Sequence, residues 1–257
     1  MKIVVACKLV PEEQDIRIEA DGSLEMGKAS YKISPFDLNA MEAAVQLRNH
    51  AKEGTVTALS IGGRELENTK ARKDILSRGA DDLILVMDDD FSGILPHKTA
   101  EIMAASVRGM GFDLLICGDG SGDLYAQQVA MRTGGLLGVA AVSGVSRILG
   151  MEAGTLRVER VLESVVEVLE IPLPAVISVS TDINVPAIPG MKAILSAAKK
   201  PVTVMAAEDL GPLSSSVLVD MVEVKAPRQK ERKKLIVEGD SEEKISEFIN
   251  HLRKVLN

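Results

Sequence analysis

Short apolar runs rich in β-branched residues alternate with helix-patterned segments through the first half of this chain. That alternation restricts the fold more than any other feature. Residues 1–6 open with Ile3, Val4 and Val5, and 55–61, 82–87 and 113–117 repeat the texture. Such runs suit strands buried on both faces of a parallel sheet. Between the first two runs, Ala40, Ala43, Ala44 and Leu47 recur at helical spacing, with Asp37 placed as N-cap. Further helices are expected at about 65–77, closed by Arg78-Gly79, at 98–109, and from near Asp123 to Thr133. The expectation is an α/β fold with a doubly wound, mostly parallel sheet. Right-handed crossovers then put every strand-to-helix turn on the carboxyl edge of that sheet.

The remainder reads differently. Residues 16–26 alternate around Asp21-Gly22, a hairpin signal. After Gly138 come short β-rich runs at 141–149, 156–162, 165–171 and 175–180, expected as an additional, more antiparallel portion. Pro186, Pro189 and Gly190 interrupt the chain before a small helix at 191–198. Strands are expected at 201–206 and 216–224. Residues 225–234 carry six basic side chains and read as a solvated face or an arm laid over a partner. The last stretch, 241–257, is patterned as an amphipathic helix. Asp240 is its expected N-cap, and Ile245, Phe248, Ile249, Leu252 and Leu256 form the apolar stripe. The chain thus divides into an α/β body, 1–224, and an arm with a helix, 225–257.

Composition removes several function classes. There is no Trp, aromatic residues make up 2%, and the net charge is −7. Single-stranded nucleic acid needs aromatic platforms and phosphate backbones need cations, so nucleic acid is not an expected partner. No segment reaches the roughly 18 apolar residues of a membrane span. The opening ten residues carry Lys2 and Lys8 and read as a first strand rather than a signal peptide, so a cytoplasmic location is expected. Cys7 and Cys117 each end an apolar run and read as small buried residues. With His50, His97 and His251 scattered, no zinc site and no nucleophile–base arrangement is visible. No catalytic residue is expected.

The most informative stretch is Gly118-Asp119-Gly120-Ser121-Gly122-Asp123-Leu124-Tyr125-Ala126-Gln127-Gln128-Val129. It ends a buried strand and leads into a helix. Glycines let a ligand approach backbone closely and tolerate unusual φ values, and a helix N-terminus offers unpaired N–H groups to an anion. The G-x-G-x-G spacing is neither the usual dinucleotide fingerprint nor a Walker A loop. A Gly-rich turn capped by Asp123 explains it as well as a phosphate cradle does. Two further strand ends, Ala6-Cys7-Lys8 and Ser60-Ile61-Gly62-Gly63, belong on the same edge, and the Ser34-Pro35-Phe36-Asp37 helix start leans toward it. Together they outline a nucleotide-sized crevice. Within it Asp123 is an N-cap or orients a ligand, Gln128 reaches adenine or backbone, and Tyr125 and Phe36 stack on a ring or simply pack.

With these residues in view, the chain resembles the β subunit of electron transfer flavoproteins over nearly its whole length. Gly118, Asp123, Gln128 and Val129 match the family's nucleotide loop; Gly120, Ser121, Gly122, Tyr125 and Ala130 depart from it. Val158, Arg160, Glu163, Glu167, Leu169, Pro174, Val176, Ile177 and Ser178 fit its second signature, while Ser164 and Val165 do not. The variant loop and the 34–39 stretch look most like the branch associated with nitrogen fixation and acyl-CoA or carnitine-type reduction. The resemblance implies a Rossmann-like, adenine-nucleotide-binding fold and a heterodimer with an α subunit that carries its own FAD. This chain would then hold AMP, or a second FAD with NADH as electron donor in electron-bifurcating members. It places nucleotide contacts on Ala6, Ser34, Pro35, Phe36, Asp37, Ile61 and 118–129. A loop that docks an acyl-CoA dehydrogenase falls on 184–191, with Ile188 as anchor beside Pro189 and Met191. The terminal helix docks on the partner or on its own domain. A stand-alone nucleotide-binding module is the remote alternative.

Overall fold

Buried β-branched residues build the centre of the computed structural model, which describes residues 1–213, 219–228 and 234–256. β1 (Lys2–Ala6) is followed by short β2 (Leu9–Pro11), β3 (Arg17–Ile18), β4 (Leu24–Glu25) and β5 (Tyr31–Ile33). Then come α1 (Pro35–Ala51), β6 (Thr55–Gly62), α2 (Thr69–Ser77), β7 (Asp82–Met87), α3 (Pro96–Met110), β8 (Leu114–Gly118) and α4 (Val129–Leu137). β9 (Ala140–Glu152), β10 (Thr155–Val161), β11 (Val166–Pro172), β12 (Ala175–Val179), α5 (Met191–Ala197), β13 (Val202–Met205) and α6 (Glu242–Leu256) complete the chain.

Nine strands form one sheet in the order β11-β10-β9-β12-β8-β1-β6-β7-β13. β1 pairs in parallel with both β6 and β8, and the β12, β9, β7 and β13 contacts that extend the sheet on either side are also parallel. The chain runs outward from β1 through β6 to β7, then returns to place β8 on the other side of β1. Winding reverses between β1 and β8, which is where an open α/β sheet leaves a crevice at its carboxyl edge. The fold is the expected α/β, doubly wound, mostly parallel one. The β-rich stretch after Gly138 supplies the expected additional, more antiparallel portion, and it does so within the same sheet. β12 inserts in parallel between β8 and β9, and the antiparallel pairs β9–β10 and β10–β11 extend the same sheet.

Alternate residues of each strand serve opposite faces. Ile3, Val5, Leu114 and Ile116 pack with Ala40, Ala44 and Leu47 of α1 and with Ile75 and Leu76 of α2. Val4, Ala6, Leu115 and Cys117 pack on the other side with Ile102, Met103 and Val107 of α3 and Ala130 of α4. Each of the largest of these side chains contributes roughly 1.5–3 kcal/mol by leaving water. Cys7 and Cys117 are both buried and free, as expected. They lie in the two different cores, and burial raises both thiols.

Several local expectations shift. The 65–77 helix is broken: Arg64–Glu67 is a 3₁₀ turn and Asn68 caps α2 by accepting the N–H groups of Lys70 and Ala71. Asp37 is not the cap of α1. Pro35 opens that helix after Ser34, its ring already holding helical φ, so Asp37 lies inside the first turn. α4 starts at Val129, not near Asp123, because Tyr125 and Gln127 sit at φ 44° and 56°, where a right-handed helix cannot run. The 216–224 expectation lies partly outside the described residues, and 219–224 is not strand. Half of the basic run 225–234, residues 229–233, likewise falls outside them.

Residues 18–24 and 224–257 form a second compact unit apart from 1–17 and 25–223. Within it, Ser23 bridges Lys225, and Ala226 N–H donates to Gly22 O at 2.9 Å. α6 carries the expected stripe, but Ser241 rather than Asp240 accepts the Lys244 N–H at 3.3 Å. No helix among the described residues is long and apolar enough to cross a membrane.

Candidate functional site

The winding reversal brings the ends of β1 and β8 side by side, and Asp37 joins them. Its carboxylate accepts the Lys8 N–H at 2.7 Å and the Gly118 N–H at 3.2 Å. Burial pushes the Asp37 carboxyl up to about 7 against those two N–H groups and the nearby Lys8 charge, with Asp123 adding to the rise. The residue expected to cap a helix instead ties two strand ends together. Gly118 has no room for more: an added Cβ would lie 2.7 Å from Asp37 Oδ1 and from the Phe36 backbone.

From Gly118 the chain makes a closed loop. Asp119 N–H donates to Val179 O at 3.0 Å, and the Asp119 carboxylate accepts from Ser178 Oγ at 3.0 Å and from Gln127 Nε2 at 2.7 Å. One side chain therefore fastens the loop's start to β12 and to its own far end. Tyr125 folds back on Phe36 with ring centroids 5.1 Å apart. Gly120 is needed for that packing, since a Cβ there would strike the Tyr125 ring. Lys8 Nζ lies 2.6 Å from Asp123 Oδ2. Burial opposes the Asp123 charge, but Lys8, Ser121 and the Leu124 N–H hold its carboxyl below the usual range. This half-exposed pair is worth about 1 kcal/mol or less.

The expected backbone device is inverted. None of Gly118, Gly120 and Gly122 has a positive φ; the left-handed residues are Tyr125 and Gln127. Gly122 has neither a positive φ nor a crowded Cβ position, its nearest atoms being Pro35 Cδ at 3.4 Å and Val10 Cγ2 at 3.5 Å. Among the described residues, the N–H groups of Gly120 and Gly122 meet no backbone acceptor. Gln128 stands at the N-cap of α4 without a side-chain capping bond, and its Oε1 accepts from Arg132 Nε at 3.0 Å instead. The first N–H groups of α4 thus lack a cap from their own helix.

The structure brings Ser34, Pro35, Phe36, Asp37 and the 118–129 loop together. Ser34 is wholly buried and its Oγ has no partner. Leu124 and Tyr125 are exposed, Ala126 is half-buried, and Val129 packs toward the α3–α4 core. Ala6 is a core side chain at the end of β1. Ile61 is the penultimate residue of β6, on the side of β1 away from the reversal, and packs against the same core. The Gly62-Gly63 turn beside it is filled by Glu65, whose Oε1 accepts the Gly63 N–H at 2.8 Å. Sequence reasoning names Lys8 only as part of a strand end on this edge and Ser178 only in the family's second signature, and assigns a ligand contact to neither. Lys8 follows the end of β1, and Ser178 is the penultimate residue of β12, beside Cys117 and Gly118 of β8.

The docking candidates follow β12 in the chain. Ile188 is 92% exposed and Val185 89%, while Met191, at the start of α5, is also exposed. Isolated exposed aliphatics are common, but these three fall within seven residues of chain.

Residues 23–210 match the electron transfer flavoprotein domain, which is well over half of the sequence. The chain belongs to the electron transfer flavoprotein family. The match takes in α1, the 118–129 loop, β9–β12 and the exposed 184–191 segment. β1 and Lys8 precede it, while β8, Asp37 and the loop lie within it.

Proposed function

We propose that this chain is the β subunit of a heterodimeric electron transfer flavoprotein and that the β1–β8 cleft holds an adenine nucleotide, FAD in preference to AMP. One observation carries the reading. At the winding reversal, a loop whose Gly120 and Gly122 N–H groups meet no backbone acceptor packs Tyr125 on Phe36 of α1 and leads into an uncapped helix start, with Lys8 close by. That donor set fits a phosphate-bearing group. Gly122 supports the diphosphate, because nothing inside the chain requires glycine there. Asp119, Asp37 and Asp123 oppose an anion. Lys8 offsets one of them, and Asp37, titrating near 7, is charged only in part at neutral pH.

In this reading the chain's own residues bind and orient. The 120–122 backbone and the start of α4 receive phosphate oxygens, Lys8 exchanges Asp123 for the ligand, and Phe36 and Tyr125 wall the cleft. When bound, FAD supplies two-electron acceptance from NADH and onward electron delivery; the protein supplies no acid, base or nucleophile. The α subunit carries the other FAD. Residues 225–257 form the arm that reaches it, and 184–191 docks a redox partner of the acyl-CoA dehydrogenase class through Ile188, with Pro189 and Met191 beside it. Acceptors are a quinone, ferredoxin or an acyl-CoA. The body is 1–224, and the setting is cytoplasmic.

AMP is the second reading, and Gly120 favours it: the space that glycine leaves is taken by Tyr125 rather than kept for a second phosphate. Counting flavins in the purified heterodimer separates the two. Two FAD per pair supports the first reading, and one FAD with AMP sinks it. Gly122→Val tests the cleft itself. It should expel the nucleotide of this chain and spare the α-subunit flavin; full retention would contradict the loop assignment.

A further inference from the structure

An exposed aliphatic anchor docks well only if its loop is already in the docking conformation, since ordering it on contact subtracts from affinity. The 181–188 segment has no regular structure beyond one 3₁₀ turn, Thr181–Ile183. It is held instead by side chains that belong to none of the proposed contacts. Asn39, on α1 and only 5% exposed, donates through Nδ2 to Asn184 O at 2.8 Å, to Asn184 Oδ1 at 3.1 Å and to Thr181 O at 3.3 Å. Asn184 returns a bond from its own Nδ2 to Asn39 O at 3.0 Å. Three residues on, Glu42 Oε2 accepts the Ala187 N–H at 3.2 Å. Just after α2, Arg78 Nη1 donates to Ala187 O at 3.3 Å. The residue just before Ile188 is thus fixed at both its N–H and its C=O.

A buried asparagine is costly unless its polar atoms are met, and here the loop meets its Nδ2 group. Asn39 and Glu42 lie at helical spacing on one face of α1. The same helix places Phe36 and Asp37 in the cleft one turn earlier. We infer that Asn39, aided by Glu42 and Arg78, is a positioning residue for redox-partner docking: it clamps 184–187 so that Ile188 is presented in a preformed conformation. The inference rests on the assignment of 184–191 as the docking loop.

The test uses the intact heterodimer with a reduced acyl-CoA dehydrogenase as probe. Asn39→Ala should speed amide exchange at 183–188 and raise the KM for the flavoprotein about tenfold, the worth of one or two net hydrogen bonds. The kcat at saturation and the nucleotide content should stay unchanged. Asn184→Ala should do the same from the loop side. Asn184→Asp keeps both acceptors for Asn39 and should recover much of the loss. Wild-type exchange at 183–188 in Asn39→Ala would overturn the clamp. So would a wild-type KM in both alanine variants when Ile188→Ala raises it. A wild-type KM in Ile188→Ala would instead remove the docking assignment beneath the inference.

Discussion

β8 and β12 are neighbours in register, Gly118 opposite Val179, and both leave the sheet at its carboxyl edge. Each strand gives way to a stretch without regular strand or long helix, yet the two stretches are built differently. The 119–128 loop is closed on itself by Asp119–Gln127 and by Tyr125 folded over Gly120, carries two non-glycine residues in the left-handed region, and is tied to β12 through Asp119 and to Lys8 through Asp123. The 184–190 segment contains no left-handed residue. Pro186 and Pro189 keep it extended, and its bonds come from α1 and the end of α2. The first arrangement spends its side chains on contacts within the protein and leaves the Gly120 and Gly122 N–H groups without a backbone acceptor, which suits an anion. The second spends backbone on the scaffold and leaves aliphatic side chains outward, which suits a protein surface. In a loop, the groups left unspent are a better guide to the partner than the loop's composition.

The sharpest way to break this contrast is at the junction of cleft and helix. Gly118→Val should destabilise the protein by roughly 3–4 kcal/mol by denaturant titration, because the new side chain meets Asp37 and the Phe36 backbone, neither of which can move freely. Gly122→Val should change stability by less than about 1 kcal/mol, since its Cβ enters ordinary contacts. Equal losses at the two positions would remove the distinction between a packing glycine and a ligand glycine.

Asp37 gives a pH signature that the docking loop lacks. Its carboxyl is raised to about 7 by burial, whereas an unfolded aspartate titrates near 3.9. The folded chain therefore holds a proton that the unfolded chain has released. This contribution to stability is complete below about pH 4 and is lost as pH rises through about 7. Asp37→Asn should flatten that part of the stability profile, by about 3 kcal/mol between pH 4.5 and 7. An unaltered profile would show that Asp37 does not carry the proton.

A smaller effect tests the inward-fastened loop. Gln127→Ala loses the bond to Asp119 and keeps a left-handed φ; Gln127→Gly loses the same bond and relieves the backbone. The glycine variant should be the more stable of the two by about 1 kcal/mol in thermal or chemical denaturation. The smallest effect belongs to the docking loop. Ile188→Ala should alter stability by less than about 0.5 kcal/mol, because the side chain is almost wholly in water already.

Much of the fold is legible in local pattern. The runs at 82–87 and 113–117 correspond to β7 and β8 within a residue at each end, and the helices of the first half arise where apolar residues recur at helical spacing. Errors gather where a single side chain decides. Asp37 and Asp123 both look like helix caps in sequence, and neither is one. A cap is a local bond, and each of these carboxylates finds a partner that local sequence does not contain: Asp37 the N–H groups of Lys8 and Gly118, Asp123 the amine of Lys8, 115 positions away. Asn39 gives no sequence signal for the same reason, its partners lying 142 and 145 positions along.

For the glycine-rich loop, the sequence by itself determined that a strand ends at Gly118 and that small residues come next, because periodicity and glycine content are local properties of a chain. Only the tertiary structure decided that β8 lies against β1 at the reversal of winding, that the left-handed residues are Tyr125 and Gln127 rather than the glycines, and that α4 begins at Val129. Strand order and the partners of buried polar groups are set by which faces pack and which long-range bonds close, and those depend on the whole chain at once.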